Sequence, residues 1–255
     1  DNIGPGLYKV EEETKTGWQA ITSTFYTFTA TSGQDKNYDF GNISQGKIIV
    51  DKITIPANDP KKFDFELIDI ATGQTTPFKL TDQENPWEMD VQQGVYSVDE
   101  LLPSGWQKNW HCISSNGNDE RNLSINIEPG ETVTCTFTNT KLGSIKVIKD
   151  AKPNSNELFD FTFTTGTIHD FTLQDNSNNH DGHKNWELIE DLPSMTYTLM
   201  EKPEQDWELI NIRCDSNYTK PFNVDGQSVV IRLQPGEDMV CTFTNEKYSE
   251  LTVFK

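Results

Sequence analysis

The chain has 255 residues, 40 acidic and 21 basic, for a formal net charge of -19. That balance excludes a nucleic-acid surface and an anionic-membrane surface, both of which need clustered Lys and Arg. Hydrophobic residues make up 34%, no run is long and apolar enough to span a bilayer, and the patterned runs favour strands, being rich in Phe, Tyr, Trp, Val, Ile and Thr.

In chain order, residues 1–45 read as the back half of a unit. Tyr8-Lys9-Val10-Glu11-Glu12 alternates as a strand should, Thr16-Gly17-Trp18 turns the chain, and Phe25–Thr31 and Tyr38–Asn42 are two more predicted strands. Residues 46–142 form a whole unit. Its predicted strands are Lys47–Ile55, Lys62–Ile70, Trp87–Val91, Val95–Glu100, Trp110–Ser114, Leu123–Ile127 and Val133–Asn139. Turn signals separate them at Ala71-Thr72-Gly73-Gln74, Leu102–Trp106 and Pro129-Gly130-Glu131.

Residues 143–248 repeat the plan. Phe159-Asp160-Phe161 matches Phe63-Asp64-Phe65, Tyr197–Glu201 matches Tyr96–Glu100, and Cys-Thr-Phe-Thr-Asn occurs at Cys135–Asn139 and again at Cys241–Asn245. Residues 249–255 begin a further unit. Self-similarity at a spacing of about 100 residues marks tandem repeats. Short strands broken by Gly, Pro, Asn and Asp predict an all-β fold of Greek-key β-sandwiches. The short linkers predict a stiff rod.

Four cysteines allow three pairings. The repeat selects one, because each whole unit carries two in equivalent places: Cys112–Cys135 and Cys214–Cys241. Metal binding is the rival, but no Cys-x-x-Cys spacing is present. Paired cysteines imply an oxidising, extracellular setting. Sequons at Asn42, Asn122 and Asn217 are glycosylation candidates compatible with it.

Period-two alternation places one polar residue at the end of each apolar face. Ile48, Val50 and Lys52 share a face, as do Ile145, Val147 and Lys149, and Leu251, Val253 and Lys255. Glu100, Glu201 and Glu12 close the faces begun by Tyr96, Tyr197 and Tyr8, and Asn139, Asn245 and Asn42 close those of the last strands. A buried Lys, Glu and Asn are costly unless they meet.

This order of residues resembles the Cna-B/SpaA-type domains that build the shafts of Gram-positive pili and the stalks of bacterial adhesins. Tyr96-Ser97-Val98-Asp99-Glu100, followed by Pro103-Ser104-Gly105-Trp106, is similar to that family's E-box, with Trp for the usual Tyr. The resemblance implies tandem Ig-like, prealbumin-like sandwiches. It also implies covalent Lys–Asn bonds: Lys52–Asn139 aided by Glu100, and Lys149–Asn245 aided by Glu201. Glu12, Asn42 and Lys255 are incomplete sets. The paired cysteines depart from most pilin shafts, and the second E-box turn, Lys202–Trp207, has lost its glycine, so the first pair has the more intact motif. At strand ends Lys and Asn also commonly reach solvent, and that solvated reading stands beside the covalent one.

Other constellations point elsewhere only weakly. Asp175, Asn179 and Asp181 are candidate calcium ligands, but the loop's glycine falls at the wrong place for an EF-hand. His180 and His183 lack a third ligand. No nucleophile elbow is present. Trp18, Trp106 and Trp207 recur at one repeat position and read as packing.

The sequence thus predicts a non-enzymatic structural segment of an extracellular, cell-surface stalk, pilus shaft or filament, without cofactors. Its partners would be neighbouring repeats or identical subunits. The alternative is an adhesin segment that binds a glycan or a host or matrix protein. The ends read as a window from a longer tandem chain. A donor-strand junction is the rival: Leu251–Lys255 would complete residues 1–45 of a neighbour. Its weakness is that one strand leaves the Tyr8, Val10, Phe25 and Phe40 face uncovered.

Overall fold

A computed structural model describes residues 3–249 and 251–253, apart from 118, 121–123, 165–167, 177–183 and 219–221. Asn122, Asn179, His180, Asp181, His183 and Lys255 therefore lie outside the described residues. The described residues contain strands and turns and no helix. The chain divides into two compact units: residues 1–53, 58–101 and 109–138 in one, and 54–57, 102–108 and 139–255 in the other.

The opening segment holds β1 (Gly6–Glu11), β2 (Trp18–Ala20), β3 (Phe25–Ala30) and β4 (Asn42–Ser44). β1 pairs with β3, and β2 with β4. The first complete repeat follows with β5 (Gly46–Ile55), β6 (Phe63–Asp69), β7 (Thr75–Leu80), β8 (Trp87–Val91), β9 (Gly94–Leu101), β10 (Trp106–Ser114), β11 (Asp119–Glu120), β12 (Ile125–Ile127) and β13 (Thr132–Lys141). One sheet runs β11-β10-β13-β5-β8 and the other β12-β9-β6-β7. The second repeat has β14 (Gly143–Lys152), β15 (Phe159–Phe163), β16 (Phe171–Leu173), β17 (Trp186–Leu192), β18 (Thr196–Glu201), β19 (Trp207–Ser216), β20 (Phe222–Asp225), β21 (Ser228–Arg232) and β22 (Asp238–Lys247). Its sheets run β17-β14-β22-β19 and β16-β15-β18-β21-β20.

Alternation explains the burial. Along β5, Ile48, Val50 and Lys52 face inward, and along β14, Ile145, Val147 and Lys149 do so, while the residues between them remain partly exposed. The first and last strands of the second repeat lie side by side and parallel, with Lys149 opposite Phe243 and Ala151 opposite Asn245. Each lysine strand starts at a glycine because the turn before the last strand crowds it. A Cβ at Gly46 would stand 2.2 Å from Ile127 Cγ2, and one at Gly143 2.5 Å from the Glu237 carbonyl oxygen. Both disulfides form as the repeat predicts, Cys112–Cys135 and Cys214–Cys241. They close loops of 23 and 27 residues, each worth about 3 kcal/mol in the chain-entropy model.

Three expectations are corrected. Thr75–Leu80 is a strand although Pro77 interrupts its pattern, because it is an edge strand, where a missing N–H costs little. Tyr38–Phe40 is not a strand. Only Asn42–Ser44 pairs, with β2, and no described strand flanks β4 on its other edge. Phe25 is 48% exposed; the inner residues of β3 are Tyr26 and Phe28, which oppose Val10 and Tyr8.

The opening segment nonetheless keeps the repeat's registers. Tyr8 opposes Phe28 and Val10 opposes Tyr26, as Tyr197 opposes Ile231 and Leu199 opposes Val229. Trp18 opposes Ser44 and Ala20 opposes Asn42, as Trp207 opposes Lys247 and Leu209 opposes Asn245. Residues 6–44 therefore share strand registers with the second half of the second repeat.

Candidate functional site: a buried lysine, glutamate and asparagine

In the second repeat, three strands bring three polar groups to one dry place. Lys149, Glu201 and Asn245 are 1%, 1% and 2% exposed. Lys149 Nζ donates to Asn245 Oδ1 at 2.6 Å and to the Phe243 carbonyl at 3.1 Å, and stands 3.7 Å from Glu201 Oε2. Asn245 Nδ2 donates to Glu201 Oε1 at 2.5 Å. The Phe159 ring lies 4.1 Å from the amine. Lys and Asn therefore touch through neighbouring parallel strands, and Glu201 reaches them from the facing sheet.

Burial shifts both ionisable groups toward neutrality. It pushes the Lys149 amine down to about 8 against the attraction of Glu201. It pushes the Glu201 carboxyl up against the attraction of Lys149. A proton moved from Lys149 to Glu201 leaves a neutral amine and a neutral acid. A neutral amine is a nucleophile, and a protonated carboxyl is an acid able to polarise a neighbouring amide carbonyl.

In the first repeat the same types are buried, and Lys52 and Glu100 come together. Lys52, Glu100 and Asn139 are 3%, 2% and 0% exposed. Lys52 Nζ lies 3.6 Å from Glu100 Oε1, donates to the Phe137 carbonyl at 3.2 Å and lies 4.4 Å from the Phe63 ring. Burial lowers its pKa against the attraction of Glu100. Asn139 follows Phe137 by two positions on β13, on the same buried face.

Burial overturns the solvated reading for Lys52, Lys149, Asn139 and Asn245. The reason is strand length: β5 and β14 continue past their lysines, and β13 and β22 past their asparagines, so none of these four stands at a strand end. In the opening segment the structure also joins Asn42 Nδ2 to Glu12 Oε1.

Of the other candidates, Asp175 uses its carboxylate to accept the Ala151 N–H at 2.8 Å, and Asn217 Oδ1 accepts the Asp238 N–H at 3.2 Å. Trp106 and Trp207 are buried at 8% and 5%, whereas Trp18 is 47% exposed. Sequence reasoning missed the buried carboxylates Glu131 and Glu237, 4% and 0% exposed. Each bends back to accept the N–H three residues earlier, of Glu128 and Gln234. Their backbone carbonyls bind the first strand, at Lys47 and Ser144. The recurring Pro-Gly-Glu was the signal.

A family model described as a prealbumin-like fold domain matches residues 48–141 and again 145–247. No curated protein matches the sequence. Among solved structures, the chain is similar to the Bacillus anthracis TIE protein, at 14% identity and a TM-score of 0.37, covering 96% of this chain and 42% of that one. It is also similar to the major pilin from Streptococcus pyogenes, at 12% identity and 0.36, covering 80% and 98%. A third is the C-terminal fragment of the pilus adhesin SpaC from Lactobacillus rhamnosus GG, at 13% and 0.29, covering 82% and 100%.

Proposed function

The chain belongs to the family of prealbumin-like fold domains, which it contains twice, and from that premise we propose that it is a structural segment of an extracellular stalk, pilus shaft or filament. Residues 46–142 and 143–248 are its repeating domains, 1–45 the second half of another, and 249–255 the start of a further one. The repeats are stapled by their disulfides and by Lys52–Asn139 and Lys149–Asn245 isopeptide bonds. The chain turns over no substrate; each bond forms once.

The observation that carries this reading is the contact of Lys149 Nζ with Asn245 Oδ1 at 2.6 Å, beside a glutamate, between the first and last strands. Those strands are parallel neighbours. Tension applied where the domain begins and ends pulls them in opposite directions and shears their hydrogen bonds together. A covalent link between them carries that load. In the reaction, neutral Nζ attacks Cγ, the Nζ–Cγ bond forms, the Cγ–Nδ2 bond breaks, and Nδ2 leaves as ammonia with a proton relayed by Glu201.

Intact mass of the purified chain, reduced and unreduced, tests the reading. Each bond removes one ammonia, about 17 Da, so a deficit of two ammonias is expected after reduction. A reduced mass equal to that of the unmodified sequence would overturn the staples.

A further inference from the structure

The strand that carries Lys149 outruns its outer neighbour. β17 accompanies β14 only as far as Ile148, which opposes Trp186. One more rung follows, from the Lys149 N–H to the Asn185 carbonyl at 2.8 Å. Alternate N–H groups of a strand point to the same side, so the next outward donor belongs to Ala151, which is 1% exposed. A buried N–H without an acceptor is costly. The acceptor here is a side chain: Asp175 Oδ2 takes the Ala151 N–H at 2.8 Å. On its inner edge Ala151 lies opposite Asn245. A carboxylate therefore stands where a strand would, two residues beyond the lysine and level with the asparagine that the lysine touches.

Asp175 is itself fixed. It is 8% exposed, its carbonyl accepts the Ser155 N–H at 2.7 Å, and the Gln174 N–H before it reaches the Lys184 carbonyl at 3.1 Å. Its charge also acts on the amine. Burial pushes Lys149 down, against the attraction of Glu201, Asp150 and Asp175 in that order. Glu201 reaches the amine from β18. Asp150 sits on β14 itself, where its Oδ2 accepts the Thr244 hydroxyl at 3.1 Å, and its half-exposed side chain is screened by water. The same aspartate recurs in the first repeat, where Leu80-Thr81-Asp82 matches Leu173-Gln174-Asp175. There Asp82 accepts the Asn58 N–H, and burial lowers the Lys52 amine against Glu100 and then Asp82.

We propose that Asp175 is the positioning residue for the Lys149–Asn245 bond, its carboxylate supplying the missing rung that keeps the lysine in register with the asparagine. The inference rests on the isopeptide chemistry proposed above. Asp175 acts through β14 and not on the reacting atoms. Its charge gives it a second, opposing effect: it attracts the ammonium form and so restrains the neutral amine that attacks. Two substitutions separate these effects. Asp175→Asn keeps an acceptor oxygen for the Ala151 N–H and drops the charge. Asp175→Ala drops both.

Timed bond formation tests the proposal. The 255-residue chain and its variants are made by cell-free synthesis in an oxidising mixture. Synthesis is stopped, and the linked Lys149–Asn245 peptide is quantified by mass spectrometry at intervals. In the same digest the Cys214–Cys241 disulfide reports folding of the second repeat, and the Lys52–Asn139 peptide is the internal clock. Asp175→Ala should form its second-repeat link more slowly by about ten- to a hundred-fold, the scale of a displacement of roughly 1 Å, with the clock unchanged. Asp175→Asn should restore the link and form it several-fold faster than the wild type, which a merely structural rung would not do. An Ala variant that links at the wild-type rate overturns the proposal, as does an Asn variant no faster than the wild type. If the Ala variant lacks its disulfide it has not folded, and the Asn variant decides by the same criterion. If the wild type links Lys149 to Asn245 and these rates do not differ, only this inference fails. If the wild type forms no such link, the stapled-stalk reading fails with it.

Discussion

Lys149 and Lys52 hold the same position in two repeats, yet they follow from E-box turns of different quality. The first repeat has glycine in that turn, at Gly105 with φ +80°. The second has Asp206, with φ 65°. The repeat without the glycine nonetheless brings its amine within 2.6 Å of the asparagine oxygen and has the amine lowered to about 8. The turn's glycine therefore does not set the site. Strand register sets it, through a first strand and a last strand laid parallel, and the turn needs only a residue that accepts positive φ.

The sharpest way to break that comparison is to remove the acid from each repeat in turn. Glu201→Ala leaves Lys149 buried without its carboxylate, and Glu100→Ala does the same to Lys52. Each variant should regain one ammonia by intact mass. Each should lose about 3–5 kcal/mol in urea unfolding, the usual cost of orphaning a buried charge. If register governs, the two losses are alike. A bond that still forms in Glu201→Ala would show that the acid is dispensable.

A smaller effect sharpens the electrostatics. Asn245→Ala blocks the second bond while keeping Lys149 and Glu201. The folded Lys149 pKa is about 8 against the usual 10.5, so between those values the unfolded chain holds more protons. Stability of the variant should therefore rise with pH across that window and level off above it. The Glu201 carboxyl is raised above 4.5, so stability should fall as pH rises just above that value. In the bonded wild type the amine no longer titrates, and the alkaline rise should vanish from melting curves measured in parallel.

Much of this was legible in the sequence because two-residue periodicity and a long repeat constrain each other. The faces ending in Lys, Glu and Asn, the cysteine pairs and most turns were all readable that way. What failed was local. Pro77 masked an edge strand because sequence shows a missing N–H and not whether a neighbour needs it. Tyr38–Phe40 has a strand's alternation, but among the described residues β4 pairs with β2 and no strand flanks its other edge. Phe25 and Tyr26 could each have begun the inner face of β3, and only the register with β1 decides between them. Glu131 and Glu237 stand in Pro-Gly-Glu turn signals, which say nothing of burial. Their burial comes from side chains bending back on their own turns, a tertiary fact that composition does not carry.

The smallest predicted effect tests the turn itself. In both repeats the turn residue's carbonyl binds the exit of the last strand: Gly105 accepts Leu142 N–H at 2.9 Å and Asp206 accepts Tyr248 N–H at 2.8 Å. The conformation is therefore required in both. An L-residue at positive φ bears a steric cost that glycine lacks, although Asp bears less of it than most. Glycine in turn loses more backbone entropy on folding. These terms oppose each other, so Asp206→Gly should raise stability by only about 0.5 kcal/mol, read as a small rise in the urea midpoint with no change in slope. The mass deficit should stay the same, because strand register, and not the turn, aligns Lys149 with Asn245. A loss of more than about 1 kcal/mol, or a missing bond, would mean that the Asp206 side chain positions the acid at Glu201, and the turn would then belong to the site.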